Sequence, residues 1–167
     1  LGHNNFLKYL ENFGIFEPTQ IDLKETSSEN KEFKKNYEVN FATASFGQGI
    51  EMTPVQLIRA YSAIANNGRL VGPHLVETKP TLKAEPVISS KTVSQLTAML
   101  VSVVENGFAK PAKIPGYYVA GKTGTAQVSF AALGENKEGY SDKTWQTFVG
   151  FAPAFSPKFL ILVKLDN

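Results

Sequence analysis

The strong helical periods in this chain all lie before Gly107, and the three long strand-like runs all lie after Pro115. Those runs are Tyr117–Val128, Thr144–Phe151 and Phe159–Leu165. Nothing with a helical period separates them. A parallel connection needs a crossover of a dozen or more residues, usually a helix. Strands joined in succession by loops therefore point to an antiparallel meander, and the helices ahead of it must pack on the sheet. The order alone predicts an α+β fold, with helices packed on an antiparallel sheet.

The helices announce themselves by their ends. Asn4 or Asn5 can cap a first one, with Phe6, Leu10 and Phe13 on one face and Gly14 as its stop. Thr53-Pro54 opens a second, where Thr53 is the N-cap, Pro54 takes the first helical position and Gln56 completes a capping box. Leu57, Ile58, Tyr61, Ile64 and Ala65 form its apolar stripe, closed by Asn66-Asn67-Gly68. Ser89 or Ser90 caps a third, with Val93, Leu96, Leu100, Val103 and Val104 facing inward and Asn106-Gly107 at its end. Between these, Ile15–Val39 reads as a long polar loop with a short strand at Gln20–Leu23. Phe41–Met52 reads as a tight glycine-containing loop, and Leu70–Lys79 as holding a short strand near His74–Glu77. Ser129–Lys143 is expected to be a loop.

Composition excludes several functions. A chain of 167 residues is about one domain. Its net charge of +2 is too small to imply nucleic acid or an anionic membrane as partner. The densest basic run, Lys31, Lys34 and Lys35, is interleaved with Glu32 and reads as a solvated loop. There is no cysteine, so disulfides and thiolate sites are ruled out. His3 and His74 are the only histidines and lie far apart, which argues against a metal site. No apolar run reaches the roughly 18 residues of a membrane span. The first residue is Leu1, and the chain is expected to be a piece of a longer protein.

The chemistry concentrates in Gly121–Thr125, which holds a cation, two hydroxyls and two glycines. On a strand, Lys122 and Gly124 share one face and Thr123 and Thr125 the other, unless a glycine kinks the run. Residues 118–127 are expected to form an edge strand with Lys122 and Thr125 exposed at a groove, suited to an extended anionic ligand. Glycine at 124 lets a ligand backbone approach closely. Two motifs compete here. Gly116–Thr123, GYYVAGKT, fits the phosphate-cradling P-loop, and Phe159–Asp166 imitates a Walker B strand. Lys122-Thr123-Gly124 is the third motif of serine-active penicillin-binding proteins and β-lactamases. A P-loop needs a buried strand before its first glycine and a helix after its Lys-Thr. The preceding AKPAKIP contains two prolines, and no helical period follows Thr123. Ser28-Glu29-Asn30-Lys31 matches the bare S-x-x-K and S-x-N patterns, but in a charged stretch with no apolar stripe. A working S-x-x-K sits at the start of a buried helix, one turn between its members.

Three segments together go further. Ser45–Gly68 (SFGQGIEMTPVQLIRAYSAIANNG), Ile114–Gln127 (IPGYYVAGKTGTAQ) and Phe148–Asp166 (FVGFAPAFSPKFLILVKLD) resemble the transpeptidase domain of class B penicillin-binding proteins, most closely the septal, cell-division type. They occur in that family's order and spacing.

The resemblance implies a D,D-transpeptidase that cross-links D-Ala-D-Ala stem peptides of peptidoglycan through an acyl-serine intermediate and is acylated by penicillins. Lys122 would then supply positive charge beside the substrate carboxylate. Thr123 would be the motif's middle hydroxyl, and Gly124 would let the substrate backbone lie against the strand. Thr125 would bind the terminal carboxylate and lend its N–H to the oxyanion hole. A β-lactamase-like hydrolase or a silent sensor of the same fold is the alternative within this resemblance. The family's S-x-x-K and S-x-N motifs lie upstream of the helix that Phe6–Phe13 resembles. The resemblance therefore implies that residues 1–167 are the C-terminal part of one transpeptidase domain, supplying the KTG wall and no nucleophile. It implies no cofactor. The implied partners are stem peptides, β-lactams, the upstream half of the same domain and other membrane proteins of cell-wall synthesis. The implied place is the extracytoplasmic face of a bacterial cytoplasmic membrane, with the anchor outside this chain.

Overall fold

The computed structural model describes residues 2–77 and 86–166. Among them, helices α1 (His3–Asn12), α2 (Lys31–Lys34), α3 (Glu38–Ala44), α4 (Pro54–Ala65) and α5 (Ser90–Asn106) precede strands β1 (Ala120–Ser129), β2 (Tyr140–Ala152) and β3 (Phe159–Asp166). The strands form one antiparallel sheet in the order β1-β2-β3. Each strand pairs with its neighbour in sequence, as the lack of crossovers requires.

The caps explain where the two long helices start. In α4 the Thr53 hydroxyl accepts from Gln56 N at 3.2 Å, and Gln56 Oε1 accepts from Thr53 N at 2.8 Å. In α5 the Ser89 hydroxyl accepts from Thr92 N at 3.1 Å. Both helices present their apolar stripe to the sheet. Ile64 and Ala65 of α4, with Leu100 and Val101 of α5, pack on the buried Ala120, Phe151 and Ala154. Further along α5, Val104 is fully buried against Ala109, Val119 and Ala152. The tightest positions in α4 are small or polar, Gln56, Ala60 and Ala63, while the stripe expected from periodicity (Leu57, Ile58, Tyr61) is half-buried. A separate cluster of Phe33, Phe41 and Ala44, with Phe6 and Leu10 against it, joins α1, α2 and α3.

The region between α1 and α4 departs from expectation. Two helices stand where a loop was expected: α2 inside Ile15–Val39, and α3 across the end of that stretch and the start of Phe41–Met52. Phe33, Phe41 and Ala44 face inward, so α2 and α3 are held by burial, with no side-chain cap on either. There is no strand at Gln20–Leu23. Gln20 has φ 62, and the N–H groups of Thr19 and Ile21 turn in to the Glu25 carboxylate at 2.7 and 3.0 Å. Nor is there a strand at His74–Glu77, where Asp22 Oδ2 accepts from Leu75 N at 2.9 Å and Val76 N at 3.0 Å. Those are donors a ladder would need. Residues 78 and 79 of the expected Leu70–Lys79 segment lie outside the described residues. Strand β2 begins at Tyr140, four residues before the expected Thr144, because Tyr140 pairs with Ser129 beyond a bulge after Gln127.

Candidate active site

Strand β1 pairs with β2 along one side, so among the described residues its other side is an open edge. An open edge carries a row of backbone donors and acceptors that a second extended chain can use. The register runs without interruption from Ala120 to Gln127, so neither glycine breaks the alternation. Lys122 lies opposite Val149 and Gly124 opposite Thr147, on one face of the sheet; Thr123 opposite Phe148 and Thr125 opposite Gln146 are on the other.

Burial changes sharply along this strand. Ala120 and Gly121 are buried, whereas Lys122, Gly124 and Thr125 are exposed and Thr123 is half-buried. The strand thus leaves the core at Lys122. Lys122 is the cross-strand partner of the buried Val149, and its Nζ donates to Thr123 O at 2.7 Å. The KTGT run therefore offers an ammonium, a hydroxyl and an open backbone edge within one stretch. Such groups can pair with a carboxylate and with the main chain of an extended ligand.

A group missed by sequence reading stands beside Gly124. A Cβ on that glycine would meet the Thr147 hydroxyl at 2.6 Å. Glycine at 124 thus makes room for the neighbouring strand as well as for anything approaching the edge. Phe148 was also missed, and its ring lies against Gly121 and Gly150. The signal for both was the Thr-Phe-Val-Gly-Phe run, read as strand character and, from Phe148, as part of a segment resembling the transpeptidase domain.

The structure does not bring Ser28 and Lys31 together as a nucleophile and base. The Ser28 hydroxyl donates to the Glu51 carboxylate, and Lys31 pairs with Glu29 at 3.0 Å. Ser45 Oγ donates to Ala42 O at 2.7 Å, and Ser129 Oγ accepts from Ala132 N at 3.2 Å. His3 stacks on Phe41, and His74 lies by Gly72 O, far along the chain. Residues 124–129 are strand, where a P-loop would require a helix. The P-loop reading of GYYVAGKT is therefore overturned.

Helices on an antiparallel meander, with Lys-Thr-Gly along its open edge, are the arrangement expected of the penicillin-binding protein and β-lactamase class. Comparison with known proteins narrows the class. The penicillin binding protein transpeptidase domain matches residues 1–167, and the chain belongs to that family. Stage V sporulation protein D of Bacillus subtilis is 37% identical over 100% of this chain and 27% of its own length. A probable peptidoglycan D,D-transpeptidase PbpC of Pseudomonas aeruginosa is 37% identical over 77% of this chain and 22% of its own. Penicillin-binding protein 3 of Mycobacterium tuberculosis, solved in complex with aztreonam, superimposes with a TM-score of 0.87 at 30% identity, covering 99% of this chain and 40% of that one. The transpeptidase domain of Burkholderia pseudomallei penicillin-binding protein 3 gives 0.80 at 28% identity. The expected α+β fold is thus that of the transpeptidase domains. The chain spans about a quarter of the length of these two relatives.

Proposed function

We propose that this chain is the C-terminal part of the transpeptidase domain of a peptidoglycan D,D-transpeptidase, and that its β1 edge is one wall of the active site. The carrying observation is the exposure of Lys122, Gly124 and Thr125 on an open edge that emerges from the core at Lys122. A stem peptide ending in D-Ala-D-Ala is extended and carries a terminal carboxylate. Its main chain would add to the open edge. Its carboxylate would meet the Lys122 ammonium and the Thr125 hydroxyl.

The reaction proceeds by acyl transfer. A serine oxygen attacks the amide carbonyl between the two alanines, and the terminal D-alanine leaves with the proton. An amine of a second stem then displaces the serine, restoring its hydroxyl. The Thr125 N–H would stabilise the carbonyl oxygen as charge builds on it. The Ser28, Ser45 and Ser129 hydroxyls are engaged by the Glu51 carboxylate, Ala42 O and Ala132 N, with no lysine or histidine hydrogen-bonded to them. The nucleophile is therefore assigned to residues outside 1–167. β-Lactams, which the M. tuberculosis neighbour holds in its aztreonam and ampicillin complexes, would acylate that serine. Action on peptidoglycan puts the whole protein at the extracytoplasmic face of the cytoplasmic membrane, beside other proteins of cell-wall synthesis.

In the whole enzyme, Lys122→Ala or Thr125→Val should slow acylation by penicillin by about 10²–10³, the scale of one lost electrostatic or oxyanion contact. Stopped-flow acylation checks it, and rates within about threefold of wild type would remove these residues from the site.

A further inference from the structure

Immediately before Lys122 the sheet has a cross-strand pair with no side chains, Gly121 opposite Gly150. Glycine has the widest backbone freedom of any residue, and two facing each other make a soft point in a sheet. The ring of Phe148 covers it. A Cβ on Gly121 would lie 2.5 Å from Phe148 Cζ and 2.7 Å from Cε2; one on Gly150 would lie 2.9 Å from Cε1 and Cζ. One ring edge therefore rests on both strands, where an aromatic laid over glycine restores rigidity. The ring is anchored in turn, because Phe148 packs against the cluster of Val104, Ala109, Val119 and Ala152. On the other face the same stretch is held by Ala120 and Phe151, 0% and 1% exposed. The backbone leading into Lys122 is thus gripped from both faces.

We infer that Phe148 is a positioning residue for Lys122: its ring clamps the Gly121–Gly150 pair and so fixes the backbone that aims the lysine along the β1 edge. Phe148 sits on the Thr123 face, opposite to Lys122, and acts only through the strand. The direction of the Lys122 Cα–Cβ bond follows from the peptide plane it shares with Gly121. A few degrees of freedom there move an ammonium at the end of a long side chain by a large fraction of an ångström. The inference rests on the role proposed for Lys122.

The test is a double-mutant cycle in the whole enzyme, read as penicillin acylation well below the unfolding temperature of each variant. Phe148→Leu keeps apolar bulk and loses the flat ring; Phe148→Ala removes both. Each is made alone and with Lys122→Ala, and Phe33→Leu, in the separate cluster that joins α1, α2 and α3, is the packing control. Phe148→Leu should slow acylation about tenfold, by analogy with the loss from small misplacements of catalytic groups. With Lys122 already replaced, the same change should cost less than about twofold, because coupled residues are not additive. Phe33→Leu should stay within about twofold of wild type despite losing stability. An equal loss in both backgrounds, a Phe148→Leu enzyme as fast as wild type, or a Phe33→Leu enzyme as slow as Phe148→Leu would each overturn the inference. A Phe148→Leu enzyme that does not fold would make the ring a core residue only, and would overturn it too. A wild-type enzyme that penicillin does not acylate refutes the proposed function itself, and a fast Lys122→Ala enzyme refutes the role of the lysine. Those two failures are distinct from that of the clamp.

Discussion

Gln56 is 1% exposed and its side chain has a partner for every polar atom. Its Oε1 accepts from Thr53 N, and its Nε2 donates to Ile15 O at 3.1 Å and Glu17 O at 3.0 Å. One side chain thus caps α4 and ties down the turn that follows α1. Replacing it by alanine strands two carbonyls and one N–H. Gln56→Ala should lower the unfolding free energy by about 3 kcal/mol, against about 1 kcal/mol for Thr53→Ala, which loses only the cap. Gln56→Glu should also destabilise, since a carboxylate cannot donate to the two carbonyls. Urea midpoints of the three variants check this ordering. Glu25 gives a pH dependence. Burial, the largest single effect, pushes its carboxyl up, but hydrogen bonds from the Thr19 hydroxyl and from the N–H groups of Thr19, Gln20 and Ile21 together outweigh it and hold the group below its ordinary value of 4.5. A depressed carboxyl contributes stability that is complete above the unfolded value and is lost as pH falls through the folded one. Glu25→Gln should therefore lower stability at neutral pH and flatten the loss seen below pH 4.5. Equal acid sensitivity in the two proteins would count against the cradle.

At the scale of elements, β3 is the exposed partner of the sheet. Phe159, Ile161, Val163 and Leu165 share one face and are 46–62% exposed. An open, apolar edge strand invites pairing with another chain. The 167-residue chain should therefore self-associate as its concentration rises, and Ile161→Lys with Val163→Lys should abolish this. Sedimentation velocity reads both, and a wild-type chain that remains monomeric throughout removes the argument. The elements best read from the sequence were those whose ends are marked by local chemistry. Thr53-Pro54 and Ser89 fix the starts of α4 and α5, and the KTG strand falls within two residues of its expected start. Elements made by contact at a distance were illegible. Helices α2 and α3 exist because Phe33 and Phe41 meet each other and α1, with rings 5.1 Å apart. The spurious strands were erased by Glu25 and Asp22, whose acceptors capture backbone donors up to 54 residues away. At the proposed site, the KTGT residues could be named from the motif, but Thr147 and Phe148 could not, because only the strand register sets them against Gly124 and Gly121.

At the scale of the molecule, residues 1–167 hold one wall of the proposed site. Acyl transfer needs a nucleophile within hydrogen-bond reach of its base. Ser28 and Lys31 are instead bound to Glu51 and Glu29. The chain alone should form no covalent adduct when incubated with penicillin, as read by intact-mass spectrometry. Supplying the rest of the domain as a second polypeptide should restore labelling, on a serine of that polypeptide. A stoichiometric adduct on any serine of the 167-residue chain would show the nucleophile to be misassigned.

The loops between α1 and α5 are stitched by side chains whose partners are main chain. Asp22 holds the N–H groups of Leu75 and Val76, Gln56 the carbonyl of Glu17, and Asn30 both the N–H and the carbonyl of Glu51. Each stitch has a fixed end and a free end. At the free end any amino acid supplies the same peptide group, proline excepted where the N–H is used. Random substitution should therefore meet uneven resistance. Positions 75, 76 and 17 can drift widely, while Asp22, Asn30 and Gln56 tolerate almost nothing, although all six stand in the same contacts.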